Sequence, residues 1–143
     1  MYWPERCANA NFGRDPRAAQ VLFRSNMPFV LFDTGTFLTL PMEESEARLR
    51  PLGELGRYLH DIRNLSPRYM LPTKGFFDLG DIAALVDPKL VYCEEANVPD
   101  LIWNGHFTWT RTFGKLLRVC QIDRERTWDL FIGKMRQWAE GQR

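Results

Sequence analysis

The sequence lacks an excess of charge of either sign. It carries 19 lysine and arginine residues against 18 aspartate and glutamate residues, which gives a formal net charge of +1. Proteins that grip nucleic acid or an anionic membrane usually present a basic surplus, and this chain has none. We therefore expect neither nucleic acid nor a membrane among its partners.

The sequence also lacks long apolar runs, and its first residues do not predict a secretory leader. No stretch approaches the roughly 18 consecutive apolar residues of a membrane-spanning helix, and the N-terminus does not follow the basic-then-apolar order of a signal peptide. Cysteine is scarce, since Cys7, Cys93 and Cys120 are odd in number and share no metal-type spacing. These features predict a cytoplasmic protein with free thiols.

Motifs for several common enzyme chemistries are absent as well. The sequence has no glycine-rich phosphate loop, no nucleophile elbow and no cysteine–histidine arrangement. His106 lies far from His60, which we place with Arg57, Asp61 and Arg63 on a solvated helix face. Packing in the core or in a hairpin explains the following tryptophans better than base stacking does: Trp103, Trp109, Trp128 and Trp138.

The chain has ample material for one folded domain, with 143 residues of which 45% are hydrophobic and 13% aromatic. The unbroken apolar run at 29–32 predicts a strand buried on both faces, as in a parallel sheet between helices. Helices are predicted at 15–25, 43–50, 52–63, 80–86 and 123–140, further strands at 90–93 and 108–122, and loops at 1–13 and 64–75. We expect Asp15 to cap the first helix, with Pro16 at its first helical position, and Glu43 and Glu44 to form the acidic first turn of the second. One apolar face is predicted on the last helix, formed by Trp128, Phe131, Ile132, Met135 and Trp138. We interpret 108–122 as a hairpin that turns at Gly114. This order of elements predicts an α/β fold.

The most informative run is residues 74–88, in which Asp78 and Asp81 flank Gly80 before an apolar helical stretch that stops at Asp87-Pro88. A carboxylate at the start of a helix lies among free backbone N–H groups and near the positive end of the helix dipole. Such a residue either caps the helix or binds a metal ion. On this run alone, capping is the more frequent role.

Two further polar groups could face a ligand. Asn9 and Asn11 would point the same way on an extended backbone, where paired amides could bind vicinal sugar hydroxyls; ordinary turn chemistry is the simpler alternative. The segment 33–36, Asp-Thr-Gly-Thr, follows the predicted buried strand. Ligands collect at the carboxyl ends of strands in open α/β sheets, although the same residues also suit a plain turn.

Two blocks together resemble the inosine/uridine-preferring nucleoside hydrolase family. The first is residues 9–20, Asn-Ala-Asn-Phe-Gly-Arg-Asp-Pro-Arg-Ala-Ala-Gln, and the second is residues 78–88, Asp-Leu-Gly-Asp-Ile-Ala-Ala-Leu-Val-Asp-Pro. Thr34 after the strand fits the same pattern, and the resemblance spans most of residues 9–95. It implies a mostly parallel sheet flanked by helices, and hydrolysis of the N-glycosidic bond of nucleosides with a bound calcium ion.

The resemblance also assigns roles to single residues. It implies that Asp81 is a calcium ligand and that Asn11 hydrogen-bonds the ribose. Asn9 stands where the family usually has glutamate, so that sugar contact becomes neutral. Gly80 stands where many members have a histidine thought to protonate the leaving base. Asp78, or Tyr69 in the preceding loop, would then have to supply that proton.

Length is the largest departure from the family. Family domains are about twice as long, and their N-terminal aspartate cluster, Asp-x-Asp-x-x-x-Asp-Asp, has no counterpart here. We therefore interpret residues 1–143 as the C-terminal part of such a domain, inactive alone. A half-sheet leaves an edge and apolar surface uncovered, which calls for a missing half or an oligomer. The alternative is a non-catalytic remnant that works as an interaction or regulatory module.

Overall fold

The computed structural model describes residues 10–32, 38–62, 72–76, 78–102 and 105–141. The helices are α1 (Ala10–Arg14), α2 (Pro16–Arg24), α3 (Met42–Arg48), α4 (Gly53–Asp61), α5 (Leu79–Val86) and α6 (Arg124–Gly141), with a short 3-10 helix at Pro88–Leu90. The strands are β1 (Val30–Phe32), β2 (Leu38–Pro41), β3 (Thr73–Phe76), β4 (Val91–Leu101) and β5 (Phe107–Ile122). Cys7, Asn9, Tyr69, Trp103 and the segment 33–36 lie outside the described residues.

The chain divides into two compact units that alternate along the sequence. The first unit consists of residues 1–36 and 92–121, and the second of residues 37–91 and 122–143. Both units combine helices with strands, so the predicted α/β class is confirmed. None of the helices in the described ranges is long and apolar enough to cross a membrane.

The first unit is built on a three-stranded sheet in the order β1-β5-β4. β1 runs parallel to β5, with Val30 beside Leu117. β4 and β5 are joined by only residues 102–106, a connection too short for a parallel crossover, so this pair is antiparallel. The sheet is therefore mixed, and its buried face packs against Phe23 of α2.

α2 begins as the sequence predicts. The Asp15 carboxylate accepts a hydrogen bond from the Ala18 N–H at 2.9 Å, and Pro16 occupies the first helical position. Further along, Arg24 binds both carboxylate oxygens of Asp100 on β4, at 2.7 and 3.0 Å. The helix is thus capped locally and attached to the sheet by a bidentate ion pair.

Three predictions for the first unit are wrong. Residues 10–13, predicted as the end of a loop, belong to helix α1 (Ala10–Arg14). β1 is not buried on both faces, because Val30 is 50% exposed while Leu31 is buried. β5 passes through Gly114 without turning, with a φ of +88° at that residue. A Cβ there would lie 2.4 Å from the Asn26 side chain, so glycine accommodates a close approach within a strand.

The second unit contains the antiparallel pair β2 and β3 and helices α3 to α6. Its core surrounds Trp128, which is fully buried, and includes Leu40, Leu49 and Ile132. The predicted apolar face of α6 is confirmed at Trp128, Ile132 and Met135. It is wrong at Trp138, which is 52% exposed near the end of the helix.

Two element boundaries in this part of the chain also differ from the prediction. The predicted loop at 64–75 contains the first residues of β3, which pairs with β2 from Leu38 to Pro41. The predicted short strand at 90–93 is the start of the longer β4. Pairing with a partner strand decides these lengths, and the local sequence does not reveal that partner.

Glycine 56 lets α4 pack closely against the preceding turn. A Cβ at Gly56 would lie 2.1 Å from the carbonyl oxygen of Leu49 and 2.8 Å from the Leu52 Cβ. Both distances are far below van der Waals contact, and a backbone oxygen cannot move aside as a flexible side chain can. Alanine at this position would therefore displace the start of α4 from the core.

His60 is buried, which corrects the prediction of a solvated helix face. Its Nδ1 lies 3.0 Å from the hydroxyl of Ser45, which is fully buried, and its Nε2 lies 2.8 Å from a Glu46 carboxylate oxygen. Glu46 also binds Arg50 at 2.5 Å. The imidazole therefore joins α4 to α3 through both ring nitrogens, which satisfies a polar group that would otherwise be costly to bury.

Arg48 and Arg124 form ion pairs that connect α3 with α6. Arg48 contacts Glu44 at 2.9 Å and Asp129 at 2.6 Å, while Arg124 contacts Glu44 at 2.5 Å. The two arginines keep the pKa of the Glu44 carboxyl below its ordinary value, although burial acts in the opposite direction. Glu43 and Glu44 lie in the first turn of α3, as the sequence predicts.

The Ser45–His60 contact gives a stability prediction. In Ser45→Ala the buried imidazole loses one hydrogen-bond partner, so the free energy of unfolding should fall by about 1–3 kcal/mol. Denaturant titration measures this change. Ser25→Ala is the control, because Ser25 is exposed and water can replace the hydrogen bonds that its hydroxyl makes with Leu22 and Met27. The control should lose less than about 0.5 kcal/mol. Equal losses in the two variants would contradict the assigned role of Ser45.

Candidate functional site

The carboxylate run lies at the start of helix α5. Asp78 occupies the position before the first helical residue, and its carbonyl accepts a hydrogen bond from the Ile82 N–H at 3.2 Å. Its carboxylate makes no capping hydrogen bond to the helix. The predicted helix start is confirmed within one residue, whereas Asp78 is not a side-chain cap.

The end of α5 also follows the sequence. The Asp87 carboxylate accepts a hydrogen bond from the Lys89 N–H at 3.0 Å and caps the 3-10 helix that begins at Pro88. Because proline has no N–H to donate, the α-helical ladder ends before it. The helix that presents Asp81 is therefore short and defined at both ends.

Asp81 lies in the first turn of α5 and is partly buried. Burial raises the pKa of its carboxyl, and the negative charge of Asp78 raises it further. A raised folded-state pKa means that ionisation of Asp81 costs stability, and the full cost is present once the pH exceeds that pKa. A bound cation would compensate for both causes of the raised pKa, which are the lost hydration of the Asp81 carboxylate and its repulsion by Asp78.

Asp78 and Asp81 offer the oxygen donors that calcium prefers, but two carboxylates are too few to fill its coordination shell. Calcium takes about six to eight oxygen ligands, and Asp78 and Asp81 cannot supply that many. Within the described ranges, no group of three or more histidine, cysteine, aspartate or glutamate residues is placed to hold a metal ion. A complete calcium shell would therefore need donors from outside these residues.

Gly80 lies between the two carboxylates and is buried in the first turn of the helix. It carries no side chain, so this position offers no proton donor. Elsewhere in the same unit, His60 is held by Ser45 and Glu46. Of the two substitute proton donors that the sequence suggests, Asp78 is exposed and does not cap the helix, and Tyr69 lies outside the described residues.

The asparagine pair is only partly described. Asn11 lies in α1, so the extended backbone assumed for the two amides is wrong at this residue. Asn9 lies outside the described residues. The sugar-binding roles implied for Asn9 and Asn11 stay predictions.

The structure brings together one polar cluster that the sequence analysis missed, formed by Ser45, Glu46 and His60. Serine, histidine and glutamate in contact invite comparison with a nucleophile and its base. Ser45 is fully buried, however, so no substrate can reach its hydroxyl. Ser45 and His60 are 15 residues apart on different helices, and nothing in the sequence signals that they meet.

Comparisons with known proteins show the fold. The sequence matches no protein-family model and no curated protein sequence. Among solved structures, it is similar to a purine-preferring ribonucleoside hydrolase from Gardnerella vaginalis, with a TM-score of 0.70 and 23% identity over 92% of this chain. It is also similar to a plant nucleoside hydrolase, with a TM-score of 0.69 and 18% identity over 90% of this chain.

The coverage of the two solved proteins is much lower. The match covers 46% of the Gardnerella vaginalis chain and 48% of the plant chain. The chain therefore spans about half the length of the nucleoside hydrolases whose fold it shares.

Proposed function

We propose that this chain is part of a hydrolase that cleaves the N-glycosidic bond of nucleosides. The observation that carries the proposal is the structural similarity to two nucleoside hydrolases over nine-tenths of the chain or more. The two sequence blocks at 9–20 and 78–88 support it, because they resemble the same family independently of the structure. The partial coverage of both neighbours supports the view that the chain is one half of the catalytic fold.

The proposed role of Asp81 is to supply one ligand to a calcium ion. Its raised pKa and the nearby Asp78 describe a carboxylate pair whose charge is not neutralised within the described chain. In a completed site, calcium would bind ribose hydroxyls and lower the pKa of a bound water molecule. The other ligands would come from the remaining half of the fold.

The chain's other proposed contributions are to hold the sugar and to assist the leaving base. Asn11, with Asn9, would hydrogen-bond the ribose, because amides both donate to and accept from hydroxyls. With glycine at position 80, Asp78 or Tyr69 would have to protonate the leaving base. Such a proton donor stabilises an oxocarbenium-like transition state by making departure of the base easier.

The isolated chain should lack activity. We expect calorimetric titration to show calcium binding no tighter than about 1 mM, because two carboxylates leave most of the coordination shell unfilled. Incubation with inosine or uridine should release no ribose above the uncatalysed background. Asp81→Asn should weaken any residual calcium binding. Tight calcium binding together with ribose release by this chain alone would overturn the interpretation as a half.

The electrostatic coupling of the carboxylate pair can be measured directly. In Asp78→Asn the pKa of Asp81 should fall toward its ordinary value without reaching it, because burial remains the larger cause. Carbon-detected NMR titration of the Asp81 carboxyl reports this shift. The variant should fold normally, since the Asp78 carboxylate caps nothing. An unchanged Asp81 pKa would show that the two groups do not interact.

Activity should appear once the other half is supplied. We expect the chain, mixed with the part of either neighbouring hydrolase that the match leaves uncovered, to release ribose from a nucleoside in the presence of calcium. Asp81→Asn should reduce that rate by about two orders of magnitude, as for loss of a metal ligand. A complex that forms but releases no ribose, with or without calcium, would overturn the proposed function.

A further inference from the structure

One face of the sheet in the first unit carries exposed apolar side chains. Val30 and Leu117 are neighbours across the parallel pair β1 and β5, and they are 50% and 47% exposed. On the opposite face, Leu31 and Leu116 are buried against Phe23 of α2. Val119, two residues after Leu117 on the same face, is buried, so the exposed part of this face is the part at Val30 and Leu117. Since parallel strands normally have both faces covered, this surface, here called the open face, lacks part of the usual cover.

The open face borders a groove of about 240 Å³. Phe29, Val30 and Leu117 form its apolar part, and Glu95 and Lys115 lie at its side. These two charged residues neutralise each other through an ion pair of 3.1 Å. The surface therefore has an apolar centre and a satisfied polar margin, which is the usual anatomy of a protein interface.

The backbone of β1 offers a second feature beside the open face. β1 is the outermost strand in the order β1-β5-β4 within the described chain. The Phe29 carbonyl accepts a hydrogen bond from the Leu117 N–H at 3.1 Å. Because backbone groups alternate along a strand, the N–H and carbonyl of Val30 point away from β5, toward the free edge. Such an edge can accept another strand.

We propose that the β1 edge and the open face form the surface on which the complementary half of the nucleoside hydrolase-like fold docks, adding a strand to β1 and covering Val30 and Leu117. The two solved neighbours contain about as much chain again as the part this protein matches. Only the identity of the partner rests on the proposed function. The docking surface itself is argued from the geometry of β1 and β5.

A second copy of this chain fits the surface less well. Two copies that paired their edges across a two-fold axis would join strands of only three residues, Val30–Phe32. A specific interface buries a total of about 1,000 Å² or more, and pairing of two three-residue strands adds few residues toward it. The complementary half can instead cover the edge and the open face at the same time.

The experiment measures binding, without reference to activity. The full chain is mixed with the uncovered part of the Gardnerella vaginalis hydrolase and, separately, of the plant hydrolase, and mass is followed by size-exclusion chromatography with light scattering. We expect a one-to-one complex with at least one of them. Failure of both to bind would overturn the proposal, whereas binding without ribose release would contradict only the proposed function.

Three variants test which surface is used. Val30→Pro removes an outward N–H but leaves the hydrogen bonds to β5 intact, so it blocks an added strand while β1 remains. Leu117→Asp places a charge on the open face. Each should weaken binding by at least about tenfold, as for residues central to an interface. Val21→Asp on α2 is the matched control, since Val21 is 71% exposed and lies elsewhere on the same unit.

Thermal unfolding of each variant shows whether it folds, and a variant with a lowered midpoint is replaced by Val30→Thr or Leu117→Gln. Binding that tolerates the changes at both Val30 and Leu117 would overturn the proposal. A homodimer that Val30→Pro dissociates would do so as well, because it would assign the surface to a second copy.

Discussion

The parallel pairing of β1 with β5 is the constraint on which the first unit depends. It joins residue 30 to residue 117, and through β5 it brings α2, which precedes β1, onto the same sheet as β4. Phe23 then packs against Leu31 and Leu116. The same pairing leaves Val30 and Leu117 exposed on the other face, although Val119 on that face is buried. The interaction that builds the core therefore also creates the apolar surface proposed as a docking site.

In the second unit, the carboxylates differ in how well their charge is compensated. Several of its carboxylates are compensated by nearby arginines, as the contacts of Arg48 and Arg124 with Glu44 show. Asp81 differs from Glu44, because burial and, to a smaller extent, the negative charge of Asp78 raise the pKa of its carboxyl. A partly buried carboxyl whose pKa is raised beside a second carboxylate is a feature that binding sites often show.

The sequence predicts those features that a few adjacent residues decide. The Asp15 cap, the stop at Asp87-Pro88 and the apolar side of α6 around Trp128 follow from local hydrogen bonding and periodicity, and the structure confirms them. The α/β class is confirmed as well, because it follows from the order of helices and strands that local patterns predict. In the candidate site, the sequence locates both carboxylates at the helix start.

Features that depend on distant partners are not predictable in this way. The length of β4, the straight course of β5 through Gly114 and the burial of His60 beside Ser45 are each decided by a segment remote in sequence. Gly114 shows the difficulty clearly, because the same positive φ serves a turn or a close approach within a strand. The raised pKa of Asp81 likewise depends on burial, which no local pattern reveals.

The alternation of the two units along the chain has a consequence for dissecting the protein. The sequence leaves the first unit after residue 36, returns to it at residue 92 and leaves it again after residue 121. No single cut separates the units, and a truncation from the C-terminus removes part of the second unit before it reaches the first. To express either unit alone would therefore require rejoining two non-adjacent segments with a new linker, and a conventional deletion series would damage both cores.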